Sequence, residues 1–214
     1  MRRVIFLILF SIPTSFLFAQ EIGEIAPPKP PEIFPSNAWG FDLMIGESGF
    51  GVGGFYRKQL STKFTLFADV SISEAKDERE VEYIDYYGQT FTIGKKNRVF
   101  QIPFNFGAQY RLFENELADN LRPYINVGVG PTIALTTPYA EEFFRAFSYA
   151  QTHYALGGYA GFGANFGLDK NNLIGLNVRY YYIEFLDEGV EILNGRFKDH
   201  IGGFYITLNF GFMY

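Results

Sequence analysis

Residues along most of this chain alternate between apolar and polar with a period of two, the mark of strands whose two faces meet different surroundings. The last segment shows it most fully. Phe204, Ile206, Leu208, Phe210, Phe212 and Tyr214 share one face, while Tyr205, Thr207, Asn209, Gly211 and Met213 share the other. Residues 98–113 set Phe100, Ile102, Phe104, Phe106, Ala108 and Tyr110 against Gln101, Pro103, Asn105, Gly107 and Gln109. In 123–136, Ile125, Val127 and Val129 oppose Tyr124, Asn126 and Gly128; in 173–185, Ile174, Leu176, Val178, Tyr180 and Tyr182 oppose Gly175, Asn177, Arg179 and Tyr181. Weaker alternation over 39–47, 49–58, 63–74 and 154–168 brings the count to eight segments of roughly 9–15 residues, long enough to cross a bilayer at a tilt. An even number of antiparallel strands closes on itself. The predicted fold is therefore all-β: an eight-stranded antiparallel up-and-down transmembrane β-barrel with long extracellular loops.

The connections alternate in length. Those at 58–62, 113–122 and 169–172 are shorter than those at 75–97, 137–152 and 187–200, as short periplasmic turns and long extracellular loops require. The connection at Glu47 to Gly49 departs from the rule, being very short on the side where the others are long.

Periodicity does not say which face points outward, but size does. An eight-stranded barrel has an interior only wide enough for side chains to fill. Phe100, Phe104, Phe106, Phe162, Phe166, Phe204, Phe210, Phe212 and Tyr214 are too bulky as a set for that space and are placed on the outer wall. The opposite face is rich in glycine, including Gly51, Gly53, Gly107, Gly128, Gly130, Gly157, Gly161 and Gly163. A soluble exterior carries about 25–35% charged residues, whereas the polar face between 99 and 113 offers only Arg111. Aromatic residues at both ends of the wall, Tyr180, Tyr182, Phe204 and Phe100 at one and Tyr110, Tyr214, Trp39 and Tyr56 at the other, form the two interfacial girdles of a membrane barrel.

Upstream of the strands the composition changes. Arg2 and Arg3 precede an apolar run from Val4 to Phe18 that ends at Ala19, the layout of a secretory signal peptide over residues 1–19. Leu17 stands where a small residue is preferred for cleavage, and Pro13 argues against an uncleaved anchor. Residues 20–38 contain Pro27, Pro28, Pro30, Pro31 and Pro35 and predict an extended periplasmic linker ahead of the barrel domain at 39–214. Loss of Arg2 and Arg3 with the signal takes the net charge from -5 to -7, which argues against nucleic acid as a partner. The chain has no cysteine, so a lipid-anchored lipoprotein, a disulfide scaffold and a thiolate metal site are excluded. No phosphate loop, metal-ligand spacing or cofactor motif appears.

On these residues the chain resembles the small eight-stranded outer-membrane barrels, the OmpA-transmembrane, OmpX and OmpW-like group, over Trp39 to Tyr214. The resemblance is carried most specifically by Phe204 to Tyr214, ending on an aromatic carboxy-terminal residue, and by Arg122-Pro-Tyr-Ile-Asn-Val-Gly-Val-Gly-Pro131. It implies residence in the cell outer membrane, contact with outer-membrane lipid, and recognition of the last strand (Phe204, Ile206, Leu208, Phe210, Phe212, Tyr214) by the barrel insertion machinery. It does not imply an activity, because members of such families differ widely.

Four charges fall on the lumen face: Asp42, Arg57, Asp69 and Arg179. A charge there must be paired, since an isolated buried ion costs several kcal/mol or more. The expectation is a network with Gln101, Asn105, Asn126, Asn165, Asn177 and Asn209 that closes the lumen, set against an ion or proton path through it. His153 and His200 fall at the extracellular starts of two strands, near Ser148, Glu184, Asp187 and Asp199. Thr152-His153-Tyr154 and Asp199-His200-Ile201 lack the His-x-Ser pattern of lipid A deacylases, so no catalytic residue is assigned. Residues 76–93 are expected to extend the third and fourth strands as a hairpin above the membrane, and 138–151 to form a short amphipathic helix. The reading that follows is a structural and surface-interaction barrel whose loops meet an extracellular protein or lipid. A narrow conduit for small or apolar solutes is the alternative, and a lipid-modifying enzyme the third.

Overall fold

The computed structural model describes residues 34–47, 49–114, 117, 120–167 and 170–214. The expected signal peptide and the linker up to residue 33 lie outside them. The chain enters through β1 (Asn37–Gly46), β2 (Gly49–Gln59) and β3 (Phe64–Ala75), then a small hairpin of β4 (Glu82–Ile84) and β5 (Thr90–Thr92). Two long strands follow, β6 (Asn97–Arg111) and β7 (Leu121–Pro138), then a single helical turn, α1 (Phe143–Ala146), that runs into a 3-10 turn at Phe147–Tyr149. β8 (Gln151–Phe166) and β9 (Asn172–Phe185) lead to a second hairpin, β10 (Val190–Leu193) and β11 (Arg196–Lys198), before β12 (His200–Met213). The eight long strands form one closed barrel in the order β1-β12-β9-β8-β7-β6-β3-β2. The first strand seals against the last, with Trp39 opposite Phe212 and Ile45 opposite Ile206.

Alternation along each strand sorts side chains as expected. In β12 the residues Phe204, Ile206, Leu208 and Phe212 are exposed on the wall, as is Tyr214 just after it, and Phe210 is half-covered, while Tyr205, Thr207, Asn209, Gly211 and Met213 are buried in the lumen. In β1 the exposed set is Trp39, Phe41, Leu43 and Ile45, and the buried set Ala38, Gly40, Asp42 and Met44. The wall is thus apolar around the barrel and the lumen carries the polar residues, the inverse of a soluble barrel. At the terminal end Trp39 packs on Phe212 and Tyr56 bonds Asn37; at the loop end Tyr180 packs on Phe204 and Tyr182 stacks on His200.

Two features depart from the expected pattern, and a third explains an exception to it. The hairpin β4–β5 is a separate two-stranded sheet and does not prolong β3 and β6. The side chains of Asp77 and Glu80 accept from the backbone N–H groups of Arg79 and Asp77, turning the chain just above β3 and breaking its register. The helix in the next loop is only four residues long, with no side-chain cap at Glu142. The short connection after β1 has a plain cause: Gly46 pairs with Gly49, whose φ of +123° is a conformation that a side chain disfavours.

The lumen also holds more aromatic volume than size alone suggests. Phe55, Phe67, Tyr124, Tyr159, Tyr181 and Tyr205 are buried inside it. Glycines make the room. A Cβ on Gly107 would stand 2.0 Å from the Val127 carbonyl oxygen and 2.4 Å from the Phe67 ring, and one on Gly211 would stand 3.0 Å from the Phe55 ring. Gly107→Val is expected to destabilise the barrel by about 1–3 kcal/mol, the usual cost of overpacking. The readout is the thermal midpoint of β-sheet circular dichroism in detergent. Ala108→Val, one residue along on the wall, is the control and stays within about 0.5 kcal/mol.

Candidate functional site

The lumen is stacked in three layers. At its centre, Arg179 of β9 reaches across to two carboxylates: its Nη2 donates to Asp42 Oδ2 at 3.1 Å, and its Nη1 lies 3.9 Å from Asp69 Oδ2. All three side chains are buried. Each carboxylate has further donors. Asn105 Nδ2 and Tyr159 OH bond the two oxygens of Asp69 at 2.8 and 2.6 Å, and Asn209 Nδ2 bonds Asp42 Oδ1. Arg179 Nε donates to Asn177 Oδ1 at 3.3 Å, and its guanidinium lies 4.8 Å from the Tyr159 ring centre. Asn177 Nδ2 links onward to Tyr124 OH at 3.1 Å and Asn126 Oδ1 at 3.3 Å. One positive charge thus faces two negative ones, and neutral amides and phenols satisfy the remaining lone pairs.

Three of the expected lumen residues, Gln101, Arg57 and Asn165, stand apart from the central cluster. Gln101 sits with Ser73 and Tyr205, donating to their hydroxyls at 2.9 and 2.8 Å. Arg57 has no carboxylate partner among the described residues; it donates to Asn165 Oδ1 at 3.2 Å and lies 4.3 Å over the Phe55 ring. That lower layer also contains Ala38, Leu173 and Met213, with Phe34 packed against them and the Arg122 guanidinium 3.9 Å over the Phe34 ring. Phe34 therefore covers part of the terminal end of the barrel. Between the central and lower layers remains a space of about 10 Å³, lined by Arg57, Asp69, Gln109, Asn126, Tyr159 and Arg179 among others, room for about one water.

The upper layer is one that alternation along the strands did not disclose. Val190 and Ile192 of β10 are fully buried and pack with Val99, Ile183, Phe185 and Ile201 across the loop-end mouth. The hairpin β10–β11 is fastened there by backbone: Lys96 N donates to Ile192 O at 2.8 Å and Asn194 N to Gly94 O at 2.9 Å. Charges add to this. Asp77, buried, faces Arg196 at 3.8 Å and Lys198 at 3.5 Å; Lys95 reaches Glu80 at 2.9 Å and Glu74 at 3.3 Å; Lys96 pairs with Glu191. The first and third long loops are thereby joined over the barrel.

The two histidines separate. His200 stacks on Tyr182. His153 Nδ1 lies 2.8 Å from Asp187 Oδ2 and its Nε2 3.4 Å from Thr136 Oγ1, so the hydroxyl beside it is a threonine on β7 and not Ser148 in the 3-10 turn. That hydroxyl belongs to a residue only 4% exposed.

Arg179→Ala leaves Asp42 and Asp69 buried without their cation and should cost roughly 3–5 kcal/mol, seen as a lower unfolding midpoint in detergent. Arg179→Met combined with Asp42→Asn and Asp69→Asn removes the charges together and should recover much of that loss. In the first loop, the hydrogen bond from Lys76 Nζ to Glu82 Oε1 at 2.8 Å holds the Glu82 carboxyl below its ordinary range and raises the Lys76 ammonium. A lowered carboxyl stabilises the fold above its ordinary value and loses that contribution as pH falls through the folded value. Amide exchange over 82–92, corrected for intrinsic rate, should therefore quicken as pH drops from neutral to below about 4. Glu82→Gln should flatten that dependence.

No family model matches the chain, and no curated protein does. Among solved structures the chain is similar to the N-terminal β-barrel domain of Pseudomonas aeruginosa OprF, at 12% identity and a TM-score of 0.47, covering 85% of this chain and 100% of that one. It is also similar to Ail, the attachment invasion locus protein of Yersinia pestis, in complex with the heparin analogue sucrose octasulfate (13%, TM-score 0.44, 84% and 97% covered). A third similar structure is Neisserial surface protein A (12%, TM-score 0.47, 83% and 94% covered). The protein's own structure is a closed eight-stranded antiparallel barrel with an apolar wall, a polar lumen, and its long loops at the end opposite the termini.

Proposed function

We propose that this protein is an integral outer-membrane barrel with a structural and surface-interaction role, its lumen closed and its loops at 75–97, 137–152 and 187–200 offered to external partners. The observation that carries the closed lumen is the pair Val190 and Ile192, which fill the loop-end mouth. Beneath them lies the Arg179 network, and beneath that lie Phe34 and Arg57. A polar solute has to cross an apolar layer and then break a buried ion cluster, two costs in series. The glycine-rich lumen face that motivates a conduit is occupied by the rings of Phe55, Phe67, Tyr124 and Tyr159.

The apolar wall supports membrane residence: Phe41, Phe50, Val52, Phe106, Val129, Phe162 and Phe212 are each more than half exposed on a surface that water would penalise. Export by a cleaved signal at 1–19, a periplasmic spacer from residue 20 that gives way to the barrel at β1, two residues before the expected end at 38, and assembly directed by Phe204 to Tyr214 complete the proposal. A hydrolytic role at His153 is disfavoured because the neighbouring Thr136 hydroxyl is covered. The surface role rests on loop residues free of the barrel: Tyr86 is 98% exposed and Tyr87 85%, at the tip of β4–β5, where large amphipathic rings suit protein contact.

Purified protein in planar bilayers is expected to show no conductance; steady ohmic steps at every protein concentration tested would refute the closed lumen. Separately, cells bearing the full protein should adhere to protein-coated surfaces better than cells bearing a variant with the three loops cut to short turns. Equal adhesion at equal surface level would remove the interaction role.

A further inference from the structure

The loop between β7 and β8 does not lie over the mouth. Arg98 and Phe100 are wall residues of β6, alternating with the buried Val99 and Gln101, and Phe100 is the last apolar wall residue before the loop end of that strand. The loop folds down onto it. Arg98 Nη1 donates to the Pro138 and Glu141 carbonyls at 3.2 and 3.3 Å, with its guanidinium 4.6 Å over the Tyr139 ring. The Phe147 ring stacks on Phe100 at 5.6 Å, Phe143 meets both edge-on at 6.2 and 5.4 Å, and Phe144 meets Phe143 edge-on at 5.3 Å. Ala146 is fully buried beneath the turn. Phe100, Phe143, Phe144 and Phe147 thus form one aromatic cluster on the outside of the barrel wall.

We propose that the turn at 139–150 is a lipid-binding wedge, seating Phe143, Phe144 and Phe147 at the headgroup and acyl-chain boundary of the outer leaflet beside β6, β7 and β8. The barrel wall and the aromatic cluster are continuous. Below Phe100 the same wall runs on through Ile102, Ile133, Leu135, Tyr154 and Leu156, so whatever covers that wall reaches the aromatic cluster without a break. Phe144 is 78% exposed, and a ring left in water forgoes the stabilisation that an apolar neighbour would supply by covering it. Rings at an interface level, flanked by Glu141, Glu142 and Arg145, match the way amphipathic turns lie in a membrane surface. The mouth, already filled by β10, has no place for them.

This inference rests on the membrane reading, and one chromophore separates the two. The chain has a single tryptophan, Trp39, at the opposite rim of the wall. In phosphatidylcholine vesicles brominated near the headgroup end of the chains, Trp39 of the unchanged protein should lose emission, which tests insertion alone. Phe144→Trp in a Trp39→Phe background should then give blue-shifted emission, stronger quenching by shallow than by deep bromine, and protection from aqueous iodide. Emission at the position of a water-exposed indole, quenched by iodide and not by bromine, would overturn the wedge and make the cluster a surface for a soluble partner. If bromine quenches Trp39 but not the indole introduced at position 144, only the wedge is defeated; if it leaves Trp39 unquenched, the membrane reading falls with it.

Discussion

A strand edge left without a neighbour leaves a row of backbone N–H and C=O groups open, and a closed sheet is the one arrangement in which every strand has a neighbour on both sides. β1 and β12 meet that demand for each other, and their pairing over Ala38 to Gly46 converts a meander into a tube. Closure at eight strands fixes a narrow bore. Every other feature of the molecule answers the question of what fills it.

The filling is uneven in chemistry along the bore. Apolar side chains stand at both ends, from Val190 and Ile192 at one to Phe34 and Met213 at the other, with ions and amides between. In a bore with room for about one water beside it, a guanidinium needs protein partners, and Arg179 takes two carboxylates, an amide and a phenol ring as its surroundings. The aromatic rings that shield this cluster need glycines opposite them, which explains why small and large residues occur together on the lumen face. Phe67 against Gly107 is the plainest case.

Which face each residue takes was legible in the sequence because a period of two admits only two assignments, and size chose between them. The partners were less legible. Arg57 and Arg179 have the same type and the same face, yet Arg179 meets carboxylates and Arg57 an amide and a ring, because stagger between strands sets height in the bore and no local pattern encodes it. The β10 plug escaped for a different reason: Val190, Glu191 and Ile192 alternate over only three residues, too few to distinguish a short strand from a loop. His153 likewise had Asp187 within reach in sequence, while Thr136 came beside it only through the pairing of β7 with β8.

The turn at Gly49 gives the rim a low side. The first and third long loops rise above the wall and brace each other through Asp77, Lys96, Glu191 and Lys198, whereas β1 and β2 end together at the pairing of Gly46 with Gly49. Length added between Glu47 and Gly49 would stand apart from the braced loops and touch neither the plug nor the ion cluster. The molecule therefore has a built-in notch, a sector of its outer edge where new chain can be carried, by evolution or by design, without reopening the question of how the bore is filled.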